Sequence, residues 1–308
     1  RNEPVEPLRE SPVGGLGPDL NSAYKTVIQR EVWNALHRPT LTGRALMKSR
    51  LAEVFSLKIA FADARARHQM VATGPGCSPA ATPQTALQAL ERAPAEIRQQ
   101  FEAAFFEVFQ QQIRLDDTER VQLSLRVGDR FPDRSEDPVT AVHQLATFDL
   151  LDAQGISYRD GAASLLSLVI CPGRVVLLDE PAGHLHPGQA ERLGTWIGHN
   201  AERLSSQVVI TTNSEAFVAG LVGHSDDVSV AQLTRRAKIP ELSAVSPQAT
   251  NRLSRSPFLS RHELLASLFH RRVVVTESDE DRAIYQLVAE RQHARTDAAF
   301  VHAHGQQN

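Results

Sequence analysis

The chain has 308 residues, of which 42% are hydrophobic and 22% charged, so it can bury a core of one large domain or of one domain plus part of another. Its formal net charge of -3 writes no overall attraction to nucleic acid or to an anionic membrane into the composition, and any DNA contact must come from local patches. The only two cysteines, Cys77 and Cys171, form no CxxC, which speaks against a disulfide framework or a zinc ribbon and fits a reducing, cytoplasmic compartment.

Residues 1–20 are rich in proline and glycine and read as a flexible lead-in. From Tyr24 to about Met70 the spacing of Val27, Val32, Leu36, Leu46, Leu51, Val54 and Phe55 predicts helix, broken at Arg38-Pro39. A loop follows from Gly74 to Pro83. Ile97, Phe101, Phe105, Val108 and Phe109 then lie on one face of an amphipathic helix, where core packing outweighs a partner-binding role. Val121, Leu123, Leu125 and Val127 alternate with polar residues as in a half-buried strand, and a charged turn runs from Asp129 to Pro138.

Beyond Leu150 the texture changes to short apolar runs at Val175–Leu178, Val208–Ile210, Val228–Leu233 and Val273–Val275. Gln189–Leu204 is long enough for a crossover helix between the first two, so an α/β architecture is expected, with strands of a sheet covered by helices. There is no internal repeat, no run of about eighteen apolar residues that a membrane span requires, and no N-terminal apolar segment flanked by positive charge.

The most informative stretch is Val175-Val176-Leu177-Leu178-Asp179-Glu180-Pro181, followed by Ala182-Gly183-His184-Leu185-His186-Pro187. Four apolar residues make a buried strand that delivers two adjacent carboxylates to its C-terminal edge, where phosphate and metal sites form in α/β folds. One acid there can hold Mg²⁺ through water, while the next orients or deprotonates the water that attacks a γ-phosphate. These roles fall to Asp179 and Glu180; a solvated acidic turn is the plainer alternative.

At these residues the sequence resembles the ATP-binding-cassette superfamily, in the branch of SMC-like, RecF-like and overcoming-lysogenization-defect ATPases. The resemblance implies a Walker B strand ending at Asp179, a catalytic Glu180, and a D-loop from His184 through His186 to Pro187. It also implies a signature loop at Ser157–Ser164, with Asp160 and Gly161, leading into a helix whose N-terminus clamps a phosphate held by the opposite head. ATP would then join two heads of a homodimer. Val208–Ser214 resembles the switch strand, with Asn213 in place of the usual histidine; an Asn capping the helix that follows is equally natural. His184 and His186 have the spacing of a zinc-binding pair, as do His302 and His304, but neither pair has further ligands at useful spacing.

The glycine-rich phosphate loop that ends in Lys-Ser or Lys-Thr is not found. Gly74–Ser78 has no lysine and Gly43–Ser49 has the wrong spacing, so the chain as written should bind ATP poorly. With Arg1 as its first residue, the chain is expected to be a fragment that lacks this loop, or else a degenerate ATPase.

Arg261–His270 reads as a helix, and Val273–Tyr285 as an apolar strand ending near carboxylates and followed by a second helix. This segment resembles the opening of a Toprim domain, and Phe300–Gly305 its next strand and turn. An ATPase head followed directly by such a segment resembles the overcoming-lysogenization-defect nucleases. The resemblance implies metal-dependent phosphodiester chemistry, with Mg²⁺ or Mn²⁺ at Glu277 and Asp281 as a supporting acid, although Ser278 stands where that family commonly has glycine. Solvated surface acids are the alternative. The family's later Asp-x-Asp ligands are absent from the chain.

The domain reading is therefore a lead-in at 1–20, a partial ATPase head at 21–256 with a helical and strand insertion, and the N-terminal part of a Toprim-like domain at 257–308. The implied partners are ATP and, through the parent protein, DNA, without a membrane. A regulatory scaffold that keeps an ATPase fold without catalysis is the second reading. A membrane-transporter ATPase subunit is a third, against which the acidic strand at Val273–Asp281 weighs.

Overall fold

The computed structural model describes residues 59–78, 81–119, 121–133, 135–170, 173–200, 202–204, 206–223, 228–236, 239–245, 267–270, 272–292 and 298–302. The lead-in, the predicted helix as far as residue 58, the Gly43–Ser49 stretch, Cys171, residues 261–266 and His304 lie outside them.

Strand β1, Ile59–Ala62, replaces part of the helix expected as far as Met70. A four-residue apolar run has no periodicity that separates strand from helix. Its parallel pairing with β6, Val175–Asp179, settles the matter, with Ile59 opposite Val175 and Ala62 opposite Leu178. Helix α1, Ala64–Val71, starts afresh after Asp63, whose carboxylate caps it by accepting from the Ala66 N–H at 2.7 Å.

The described part of the 74–83 stretch contributes a two-residue strand, β2 at Gly74–Pro75, and is otherwise irregular. Helices α2, Ala86–Arg92, and α3, Ala95–Phe109, follow. The phenylalanine stripe of α3 is core, as its spacing predicts: Phe101, Phe105, Val108 and Phe109 are buried. Phe109 stacks between Phe105 and Tyr158, with ring centroids 4.5 and 4.8 Å away. Antiparallel strands β3, Gln112–Asp116, and β4, Gln122–Gly128, form a second sheet, which β2 and then β5, Asp149–Leu150, extend. Leu123, Leu125 and Val127 point into the core, whereas Val121 is outside the strand and 80% exposed. Helix α4, Pro138–Ala146, bridges the sequence between β4 and β5 and is capped by Asp137.

Helix α5, Ile156–Val169, is enclosed over most of its length: every residue from Asp160 to Val169 is buried. Strand β6 is the centre of a parallel sheet ordered β1-β6-β7, in which β7 is Gln207–Thr211. Between β6 and β7 the chain crosses through α6, Pro187–Asn200, as expected. Helix α7, Glu215–Val222, packs against α6 with backbones in contact: a Cβ on Gly194 would lie 2.2 Å from the Phe217 carbonyl oxygen.

The four apolar runs beyond Leu150 do not share one sheet. The run at Val228–Leu233 becomes β8, Val230–Arg236, which among the described residues pairs with β9, Ile239–Val245, alone, in an antiparallel hairpin. Leu233 and Leu242, opposite each other, are 70% and 71% exposed, so the run's hydrophobicity does not signal a central strand. The run at Val273–Val275 lies in β10, Arg272–Thr276, which pairs in parallel with β11, Ala298–His302, across helix α8, Asp279–Gln292. Of the predicted 261–270 helix, the described part is a short 3₁₀ turn at Ser267–Phe269. No helix among the described residues is long and apolar enough to cross a membrane.

Candidate functional site

The central strand delivers its acid pair to the C-terminal edge of the β1-β6-β7 sheet. In-register pairing puts Thr211 opposite Asp179, and its hydroxyl donates to Asp179 Oδ1. Glu180 ends the strand by turning to a left-handed backbone, φ 49°, which only a few non-glycine residues adopt. Its N–H still reaches the Thr211 carbonyl at 2.9 Å, and its Oε2 accepts from the Asn213 N–H at 3.1 Å. Buried Pro181 and Ala182 then begin two tight turns, Gly183 N–H to Glu180 O and Leu185 N–H to Ala182 O, that lead into Pro187 at the start of α6. Asp179 is exposed and Glu180 half-buried. Asp179 is thus oriented by β7 and Glu180 by the residue two positions beyond it, and both carboxylates remain open to solvent on one side.

Asn213 meets this site through its backbone rather than its amide. It does not cap α7 either: that role belongs to Ser214, whose hydroxyl accepts from the Phe217 N–H at 3.3 Å.

The expected signature residues are placed differently from the reading above. Asp160 and Gly161 lie inside α5, past its first turn, and both are buried. A Cβ on Gly161 would sit 2.3 Å from Phe109 Cζ, so glycine here admits an aromatic ring rather than a phosphate. Asp160 Oδ2 lies 2.7 Å from His184 Nδ1, and its Oδ1 lies 3.3 Å from His68 Nε2 and 3.6 Å from Arg67 Nε. With its carboxylate enclosed by these basic groups, Asp160 is turned away from any ligand that arrives from outside. His186 is exposed; its Nδ1 accepts from the Gly188 N–H and its carbonyl from Gln189 and Ala190.

Sequence reasoning missed Arg67, which is 1% exposed. Its guanidinium donates to the carbonyl of Ala62 at 2.8 Å, to that of Asp179, and to that of Glu180 at 3.3 Å. Ala-Arg-Ala-Arg reads as the solvated side of a helix, and nothing local marks Arg67 as buried. Thr211 was within the recognised switch strand, and the polar residue that closes its apolar run was the available signal.

At the C-terminal unit, Glu277 follows the last residue of β10 and is exposed. Ser278 caps α8: its Oγ accepts from the Asp281 N–H at 3.1 Å and donates to Asp281 Oδ2 at 2.9 Å. Ser278 thus has a helix-starting role that explains its presence where glycine was expected, and Asp281 spends one oxygen on it. Among the described residues no group of three or more His, Cys, Asp or Glu has metal-binding geometry. Asp179 with one oxygen uncommitted fits a water-mediated hold on Mg²⁺, which takes few direct protein ligands when phosphate supplies the rest.

Residues 161–219 match a family model, "AAA domain, putative AbiEii toxin, Type IV TA system". The match runs from Gly161 in α5 through β6, α6 and β7 into α7, and so contains Asp179, Glu180, His184, His186, Thr211 and Asn213. This segment is thus similar in sequence to an AAA-type ATPase domain, and it lies within a mixed α/β fold. No curated protein matches the chain. Among solved structures the chain is similar to SMC ATPases described for ATP-driven dimerization and DNA-stimulated activation, at 13% identity and a TM-score of 0.37, over 51% of this chain and 88% of that one. It is similar to an Smc head bound to the C-winged helix domain of ScpA, at 14% identity and a TM-score of 0.43, over 60% of this chain and 55% of that one. A third similar structure is an Smc head domain with a coiled coil and joint from Pyrococcus yayanosii, at 15% identity and a TM-score of 0.37, over 51% of this chain and 28% of that one.

Proposed function

We propose that the chain supplies the Walker B and switch portion of an ATP-binding and hydrolysing head, and that this head regulates a Toprim-type DNA endonuclease of the overcoming-lysogenization-defect class. The acid pair at the end of the central strand carries the reading. Asp179, positioned by the Thr211 hydroxyl, would hold Mg²⁺ through water. The ion would supply charge neutralisation at the β- and γ-phosphates. Glu180, with Oε2 fixed by the Asn213 N–H, keeps its other oxygen to orient a water and take its proton. Glu277, at the end of a parallel strand and ahead of a capped helix, would serve the nuclease with Mg²⁺ or Mn²⁺, and Asp281 would support it.

A second reading, an ATPase fold retained as a scaffold, draws on the burial of Asp160 and Gly161 and on the backbone role of Asn213. Measuring hydrolysis and ATP-dependent dimerisation of the longest form its gene encodes separates the two. For an ATPase head, Glu180→Gln lowers turnover by about a hundredfold or more while dimers that form on ATP persist. Unchanged turnover in that variant removes the carboxylate from the reaction, and a wild type that neither dimerises on ATP nor hydrolyses it favours the scaffold.

A further inference from the structure

We propose that Arg67 is a positioning residue for hydrolysis: its buried guanidinium fixes the backbone that aims Glu180, with Asp160 as its counter-charge. The role rests on Glu180 acting as the water-activating group.

Where parallel strands end, their last carbonyls run out of ladder partners and need donors from elsewhere. Ala62 closes β1 and Asp179 closes β6, and Arg67 donates to both carbonyls. It can do so because α1 starts directly after β1, and a long side chain in a helix points back toward the N-terminus. The same fork reaches the Glu180 carbonyl at 3.3 Å. Glu180 is therefore gripped from two sides, its N–H by β7 and its C=O by Arg67 together with the Gly183 N–H. This grip holds the left-handed turn, φ 49°, on which the carboxylate's approach to the Asn213 N–H depends.

Arg67 and Asp160 are each 1% exposed. Taking an ion pair out of water costs free energy that a packed apolar pair would not. Merely filling the space would not require these charges, whereas a planar fork that spans several carbonyls does require arginine. Asp160 also binds His184 Nδ1 at 2.7 Å, in the turn between Glu180 and α6, so one carboxylate ties Arg67 to the segment that leaves the acid pair.

Steady-state hydrolysis by the longest form the gene encodes tests this, with wild type, Arg67→Lys, Glu180→Asp and the double variant. We expect Arg67→Lys to lower kcat at least about tenfold with KM for ATP within about twofold, since it acts on the reacting geometry rather than on binding. Added to Glu180→Asp it should cost less than about a further twofold, because both changes act through one carboxylate. Equal fractional losses in the two backgrounds, or a loss confined to KM, overturn the proposal and mark Arg67 as structural. If Arg67→Lys does not fold, Asp160→Asn replaces it: the same kcat loss is expected, and an unchanged kcat overturns the proposal. A wild type without hydrolysis, or Glu180→Asp with unchanged kcat, sinks the assignment of Glu180 itself, and the role of Arg67 falls with it.

Discussion

Glu180 sits in a backbone region that costs a non-glycine residue on the order of 1 kcal/mol, and hydrogen bonds at its N–H, carbonyl and carboxylate hold it there. Asp179 and Glu180 were legible in the sequence because an apolar run that ends in two acids and a proline is an unusual pattern. Arg67 was not legible, since its burial is created by strands and loops more than a hundred positions away. Gly161 shows the same limit: its sequence context resembled a phosphate-binding loop, and only the structure reveals the Phe109 ring against its Cα. Gly161→Ala should therefore destabilise the fold by about 1–3 kcal/mol, the range for overpacking a filled core. Urea unfolding of the variant checks this, and an unchanged midpoint would show that the ring moves aside without cost.

At the level of elements, helix α3 was readable from its periodicity, whereas β1 was not, because four apolar residues make strand or helix according to what lies beside them. Likewise β8 has the composition of a sheet strand but, among the described residues, one hairpin partner. Packing also sets the charge behaviour of α3. Glu102 lines a cavity of about 280 Å³ with Arg98, Arg114, Leu115 and Pro132, and burial raises its pKa against the pull of Arg114 and Arg98. A carboxyl whose pKa is higher folded than unfolded binds more protons in the folded state, so its contribution to stability falls as pH rises from the ordinary carboxylate range through the raised value. Glu102→Gln should consequently raise the melting temperature at pH 7 and lose that advantage below about pH 4, where the acid is protonated in both states. A melting temperature that falls at pH 7 would mean that the two arginines outweigh burial.

Across the molecule, the described strands divide into separate small sheets, and the β10-α8-β11 unit carries its own acids. The strand and helix of this unit were visible in the sequence, as was the position of Glu277, but the hydrogen bonds by which Ser278 caps the helix were not. The proposal of a linked nuclease predicts that supercoiled plasmid nicking with Mg²⁺ or Mn²⁺, by the longest form of the protein, disappears in Glu277→Ala. Retained nicking would take Glu277 out of the chemistry. The pairing of β1 with β6 joins Ile59 to Val175, and β7 adds Gln207. Such distant parallel pairings form late, because a long stretch of chain must close before any contact rewards it. During synthesis the sheet edge that bears Asp179 and Glu180 is therefore completed only after Thr211 has left the ribosome, and until then the Asp179 carboxylate lacks the hydroxyl that orients it.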